Sequence, residues 1–225
     1  MPPMILAIDT ATHTVGLAVY DGIRVHSESV WTSRNFHTVE LAPAIVDLLA
    51  KTDKTINEIG AVGVSLGPGS FTGLRIGMAV AKGICLANRL PIIGIPTLDA
   101  LAASQIIRDL PMAAVLQAGR GRLAVGWFRA EEDTWISTRE IELMTPQELS
   151  AQIKSPTLIS GELSETDQRT LARKYRNVQL ASPAQALRRP AYLAELAWKR
   201  WQDGDIDDPA TLSPIYLHHR EPIPG

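Results

Sequence analysis

Gly67-Pro68-Gly69-Ser70-Phe71-Thr72-Gly73-Leu74-Arg75 follows the apolar run Ile59–Leu66 and opens a helix that the spacing predicts over Thr72–Asn88. A strand that runs through a glycine-rich turn into a helix presents backbone N–H groups, an arrangement that suits anions. The spacing excludes the familiar phosphate loops. Gly67-x-Gly69-x-x-x-Gly73 is one residue too long for the dinucleotide fingerprint, and no Gly-Lys-Ser/Thr follows. Ser70 and Thr72 read as helix caps. The helix carries charge only at Arg75, Lys82 and, at its end, Arg89, which are seven apart and form one thin stripe. A helix this apolar must be buried over most of its surface, in the core or against another subunit. Gly73, Gly77 and Ala81 fall four apart, so a second backbone can come close along that row. Arg75 and Lys82 speak against a membrane span, which needs about 20 apolar residues.

Working outward, Met4–Ile8 and Val15–Tyr20 read as strands, and Asp21-Gly22 as a hairpin turn into a third, Ile23–Trp31. A helix over Val39–Ala50 must hold Pro43 in its first turn or kink there. Pro91–Ile95 is a further strand. The second half repeats this order. Ala113–Leu116 and Leu123–Phe128 pair, and Trp135–Leu143 continues the sheet. Thr145-Pro146-Gln147-Glu148 supplies N-cap, N1 proline and capping-box glutamate for a helix. Thr157–Ser160 and Val178–Leu180 are strands, and Thr166–Tyr175 and Pro190–Gln202 are helices. Met4–Asp9 lies over Met112–Gln117 without a gap, and Val15–Tyr20 over Leu123–Phe128, so the chain reads as a duplication. The expected fold is α/β, two-lobed, with mixed sheets and flanking helices. Residues 1–105 form one lobe and 106–225 the other, with the last helix and tail able to return to the first lobe.

The chain has 225 residues, 45% hydrophobic and 20% charged, with a net charge of −2 and a pI near 6.2. No long basic run is present, so nucleic acid of any kind is expected to be reached only through a partner. Cys85 is the single cysteine, which rules out an internal disulfide and fits a reducing compartment. No signal peptide is visible in Met1-Pro2-Pro3-Met4, so a cytoplasmic location is expected.

A duplicated lobe with an aspartate ending its first strand resembles the actin, Hsp70 and sugar-kinase superfamily, whose fold is ribonuclease H-like. Leu6-Ala7-Ile8-Asp9-Thr10-Ala11, Arg34-x-x-His37, the Gly67–Arg75 motif and Pro214-x-Tyr216-Leu217 resemble, more closely, the TsaB (YeaZ) family. That resemblance implies a subunit without chemistry of its own in bacterial tRNA threonylcarbamoyladenosine formation. Its implied partners are a TsaD-type transferase and a docking TsaE-type ATPase, with a homodimer when it is alone. The implied interface is the apolar helix: Gly69, Phe71, Thr72, Gly73, Leu74, Arg75, Gly77, Met78, Val80, Ala81 and Ile84. The superfamily also points to Asp9, Thr10 and Thr12 as candidate nucleotide or metal contacts. No cofactor is expected on the chain by itself, and ATP or ADP with Mg is a candidate at the interface of the complex. Two features depart from the family pattern, Gln117 in place of an aspartate and His218 in place of an arginine.

Three chemistries compete with this reading. Phosphoryl transfer in such a fold wants an acid from each lobe, and Gln117 stands where the second would be. A metallopeptidase favours histidines four apart, and no two of His13, His26, His37, His218 and His219 have that spacing. Gly69-Ser70-Phe71-Thr72-Gly73 is not the Gly-x-Ser-x-Gly of a hydrolase elbow. No catalytic residue and no metal site are expected. Trp127, Trp135, Trp198 and Trp201 read as core packing.

Overall fold

A computed structural model describes residues 3–33, 37–174 and 176–217, with side chains omitted at 37 and 38. Arg34, the side chain of His37, and His218 and His219 therefore lie outside the described residues. The chain divides into two compact units, one of residues 3–104 and 188–214 and the other of residues 105–187 and 215–217.

The first unit opens with β1 (Met4–Asp9), β2 (Thr14–Tyr20) and β3 (Val25–Thr32) as an antiparallel meander. The third strand starts later than Ile23 because the Asp21 carboxylate takes the N–H groups of Ile23 and Arg24 at 2.9 and 2.8 Å. Next come α1 (His37–Lys51), β4 (Ile59–Gly67), α2 (Phe71–Asn88), β5 (Ile92–Pro96) and α3 (Thr97–Ala103). The sheet order is β3-β2-β1-β4-β5, with β4 parallel to both β1 and β5. Pro43 lies in the interior of α1, past the first turn, on an exposed position where its ring meets no neighbouring core.

The second unit holds β6 (Met112–Gln117), β7 (Leu123–Glu131), β8 (Thr134–Ser137), β9 (Glu142–Met144), α4 (Pro146–Gln152), β10 (Thr157–Gly161), α5 (Glu165–Ala172) and β11 (Val178–Leu180). Its order, β8-β7-β6-β10-β11, repeats that of the first sheet. The strand expected over Trp135–Leu143 is two strands. Thr138 turns its N–H and its hydroxyl onto the Trp127 carbonyl at 2.8 and 3.1 Å, which interrupts the ladder before β9 rejoins β7. The expected capping box is formed: Thr145 accepts from Glu148 N, and Glu148 accepts from Thr145 N at 2.7 Å.

The last helix, α6 (Pro190–Gln202), belongs to the first unit rather than to the half of the sequence it follows. The pleat of β1 explains why. Side chains alternate across a strand, so Leu6 and Ile8 face one way and Ile5 and Ala7 the other. Leu6 and Ile8 pack beneath α1 and α2 with Leu41, Ile45, Met78 and Cys85. Ile5 and Ala7 would be left in water without Leu193, Ala194 and Ala197 of α6. Trp198 and Trp201 close that layer edge-on, 5.4 Å between ring centres. Sheet faces covered on both sides account for a first strand that is apolar from Met4 to Ile8.

Candidate functional site

The glycine-rich turn between β4 and α2 is folded onto the end of β1. Ser70 caps α2, accepting from Gly73 N at 3.3 Å, and its own N–H donates to the Ala11 carbonyl at 2.6 Å. Gly67 N donates to Thr97 Oγ1 at 3.0 Å, and Thr10 Oγ1 donates to the Gly73 carbonyl at 2.8 Å. The N–H groups of Gly67, Ser70 and Gly73, read from sequence as open to an anion, are thus spent inside the chain.

The row of small residues has the same explanation. A Cβ added to Gly69 would collide with the Ala11 carbonyl, one on Gly73 with the Thr10 carbonyl, and one on Gly77 with Thr10 Oγ1. The backbone that approaches α2 is the chain's own Thr10–Ala11 turn. Five residues expected at an interface, Gly73, Leu74, Gly77, Met78 and Ala81, are buried within the unit, while Gly69 is exposed although a Cβ there would meet the Ala11 carbonyl. The close backbone approach expected along this row is met inside the chain.

The other face of α2 is open. Phe71, Thr72, Arg75, Ala79, Gly83 and Leu86 are exposed along it, with Leu86 at 84%. Ile76, Val80 and Ile84 flank it half-buried. The Arg75 guanidinium lies 3.8 Å from the centre of the Phe71 ring, which holds the aromatic against the first turn. A Cβ at Gly83 meets nothing within 4 Å. Of the expected interface residues, Phe71, Thr72 and Arg75 therefore stand on the open face and Val80 and Ile84 at its edges.

Asp9 does not have the surroundings of a metal or nucleotide ligand. Its Oδ1 accepts from Ala11 N at 2.9 Å and its Oδ2 from Arg188 Nε at 2.9 Å, and both side chains are almost wholly buried. Arg188 Nη2 donates onward to Thr12 Oγ1 at 2.9 Å and to the Thr14 carbonyl at 3.1 Å. The guanidinium supplies the positive charge that a divalent cation would bring to this carboxylate, and it engages two of the three candidate contacts. Thr10 faces α2. The three residues do not fit a metal–nucleotide site. Sequence reading missed Arg188 because it lies far along the chain from Asp9 and beside Arg189, like any pair of surface cations. The equivalent strand end in the second unit is Gln117, whose Nε2 donates to Asp167 Oδ2 at 2.6 Å. Among the described residues, no cluster of histidine, cysteine or acidic side chains could hold a metal ion, and no helix is long and apolar enough to cross a membrane. Cys85 is buried, and burial pushes its thiol up to about 11.

Two sheets of one repeated topology, joined to strand-end groups at Asp9 and Gln117, define a protein of the actin, Hsp70 and sugar-kinase fold class. The family model described as TsaD, tRNA N6-adenosine threonylcarbamoyltransferase, matches residues 30–185. The Escherichia coli tRNA threonylcarbamoyladenosine biosynthesis protein TsaB is 33% identical over 158 residues, 66% of this chain and 68% of that protein. TsaB of Haemophilus influenzae is 27% identical across 98% of this chain and 97% of its own. The structure of YeaZ from Pseudomonas aeruginosa superposes with a TM-score of 0.80 at 22% identity, covering 96% of this chain and all of that one, a likeness of fold. The chain belongs to the TsaB family, and its part lies in tRNA threonylcarbamoyladenosine biosynthesis.

Proposed function

We propose that the protein is a non-catalytic subunit that docks a TsaD-type transferase through the open face of α2, and so supports threonylcarbamoylation of tRNA. The observation that carries the reading is that face itself, where Phe71, Ala79, Gly83 and Leu86 lie in water on a helix whose other side is fixed in the core. Contiguous exposed apolar surface of this kind marks a protein contact. The Arg188–Asp9 pair supports the absence of chemistry of its own, since the one strand-end carboxylate is already neutralised. Nucleotide with Mg, and the docking of a TsaE-type ATPase, then belong to the assembled complex, with groups supplied by the partner. When alone, the same face supports a homodimer.

Gly83→Arg tests this cleanly. Its side chain meets open space, and replacing a helix-interior glycine favours the helix by about 0.5–1 kcal/mol. The variant should fold at least as well as the parent, while a desolvated charge weakens association at least about a hundredfold, on the order of 3 kcal/mol. Co-purification with the transferase and mass spectrometry of digested tRNA read the result. Undiminished assembly and modification with Gly83→Arg would move the interface elsewhere.

A further inference from the structure

The inner side of α2 hangs from a turn that Asp9 shapes. At the end of β1 the Asp9 carboxylate has a donor on each oxygen, Ala11 N on Oδ1 and Arg188 Nε on Oδ2, each at 2.9 Å. An aspartate that takes the N–H two residues on folds the chain into a tight turn. The start of α2 is fixed to that turn. The Ala11 carbonyl accepts from Ser70 N at 2.6 Å, Thr10 Oγ1 donates to the Gly73 carbonyl at 2.8 Å, and the Thr10 side chain fills the space beside Gly77. The turn is also tied to β4, where Ser65 Oγ accepts from Thr10 N at 3.3 Å. Ser70 is the N-cap of α2 and Phe71 its first residue, so the attachment sits directly behind the aromatic that opens the exposed face.

Arg188 keeps Asp9 in this pose. It opens the segment that returns to the first unit, and it reaches Thr12 Oγ1 and the Thr14 carbonyl as well as Asp9. The guanidinium thus spans both ends of the link between β1 and β2. The side chains of Asp9 and Arg188 are 5% and 2% exposed, so neither can touch a docked protein.

We infer that Asp9, clamped by Arg188, is a positioning residue for the docking face: it sets where the first turn of α2, and with it Phe71, stands against the partner. The inference rests on the proposed function for what docks there. The acid at the end of β1 serves recognition at one remove, through hydrogen bonds that run from Asp9 to Ala11 to Ser70. An anchor held in place before association loses less freedom when the partner arrives.

The test is docking of the full chain to the transferase, with two double variants that both remove the ion pair. Asp9→Leu with Arg188→Met leaves Ala11 N without its acceptor, whereas Asp9→Asn with Arg188→Met keeps one. The first should dock about tenfold more weakly than wild type, and the second should recover most of that loss. In a Phe71→Ala background the first double variant should add little further loss, because the side chain it positions is gone. With Leu86→Ala, near the other end of the helix, the two losses should multiply. Thr10→Val keeps the packing beside Gly77, removes the bond to Gly73 and should weaken docking about threefold; it carries the test if the first double variant does not fold. Wild-type docking by the first double variant or by Thr10→Val overturns the inference, as does an equal loss in both double variants that persists without Phe71. Gly83→Arg separates the two levels. Undiminished docking there takes down the functional reading, whereas weakened docking there, with intact docking by the first double variant, takes down the positioning role alone.

Discussion

β1 and β6 hold the same place in two copies of one topology, yet their ends have opposite characters. Asp9 is sealed under a guanidinium in the first unit; Gln117 reaches from an exposed strand end to Asp167 in the first turn of α5. The helices that follow the matching parallel strands differ as much. α2 is long, apolar and open on one side, whereas α5 is short and leads into a cluster of cations. Duplication preserved the frame and left the two surfaces free to diverge.

The contrast between the strand ends breaks most readily at Arg188. Arg188→Ala strands the Asp9 charge in the interior and should cost about 3–5 kcal/mol in urea unfolding. Gln117→Ala, at the equivalent place, should cost about 1 kcal/mol. Equal costs would mean that the two ends are alike. Replacing both members, Asp9→Leu with Arg188→Met, should recover much of the loss, because the pair brings little net stability over an apolar filling.

A second contrast lies on the two sides of α2. Gly77→Ala forces a methyl against Thr10 and should destabilise by about 1–3 kcal/mol. Gly83→Ala should stabilise by about 0.5–1 kcal/mol. Melting temperatures shifting in the same direction would refute the assignment of inner and outer faces.

The smallest effect sharpens a comparison of first-turn acids. Asp167 accepts from Ser164 N at 2.9 Å and from Gln117. Asp99, in the first turn of α3, has no hydrogen-bond donor among the described residues, and burial pushes its carboxyl up to about 6. A folded value above the unfolded one means that the native chain holds this proton more tightly. The contribution is therefore favourable below about pH 4 and lost as pH rises through 6. Asp99→Asn should raise stability by on the order of 1–2 kcal/mol at pH 8 and change little at pH 4. A pH-independent difference would show that Asp99 is already solvated.

Local signals carried the frame. Alternation and apolar runs located the strands of both sheets, and the Thr145–Glu148 spacing fixed the start of α4 through bonds made within four residues. The register of the repeat, Met4–Asp9 on Met112–Gln117, matches β1 and β6. What escaped was long-range or short-lived. α3 is a two-turn helix without a side-chain cap, too brief for a periodic signal. The break between β8 and β9 depends on a carbonyl in another strand. Most telling is α2: composition showed that small residues admit a backbone, but only the fold shows that Thr10 provides it. The site was legible as a helix and illegible as a face, and Arg188 left no local trace at all.

The path of the chain has a consequence during synthesis. The first sheet is complete once Pro96 has been made, but the helix that covers its second face ends at Gln202. At about 5–20 residues per second, the ribosome needs roughly 5–20 s to supply it. Throughout that interval Ile5 and Ala7 lack the cover of α6, and Asp9 has no counter-charge. The nascent chain is therefore most vulnerable to aggregation while residues 97–202 are being translated. Truncated or stalled products that end before Arg188 should be the forms that occupy chaperones and proteases.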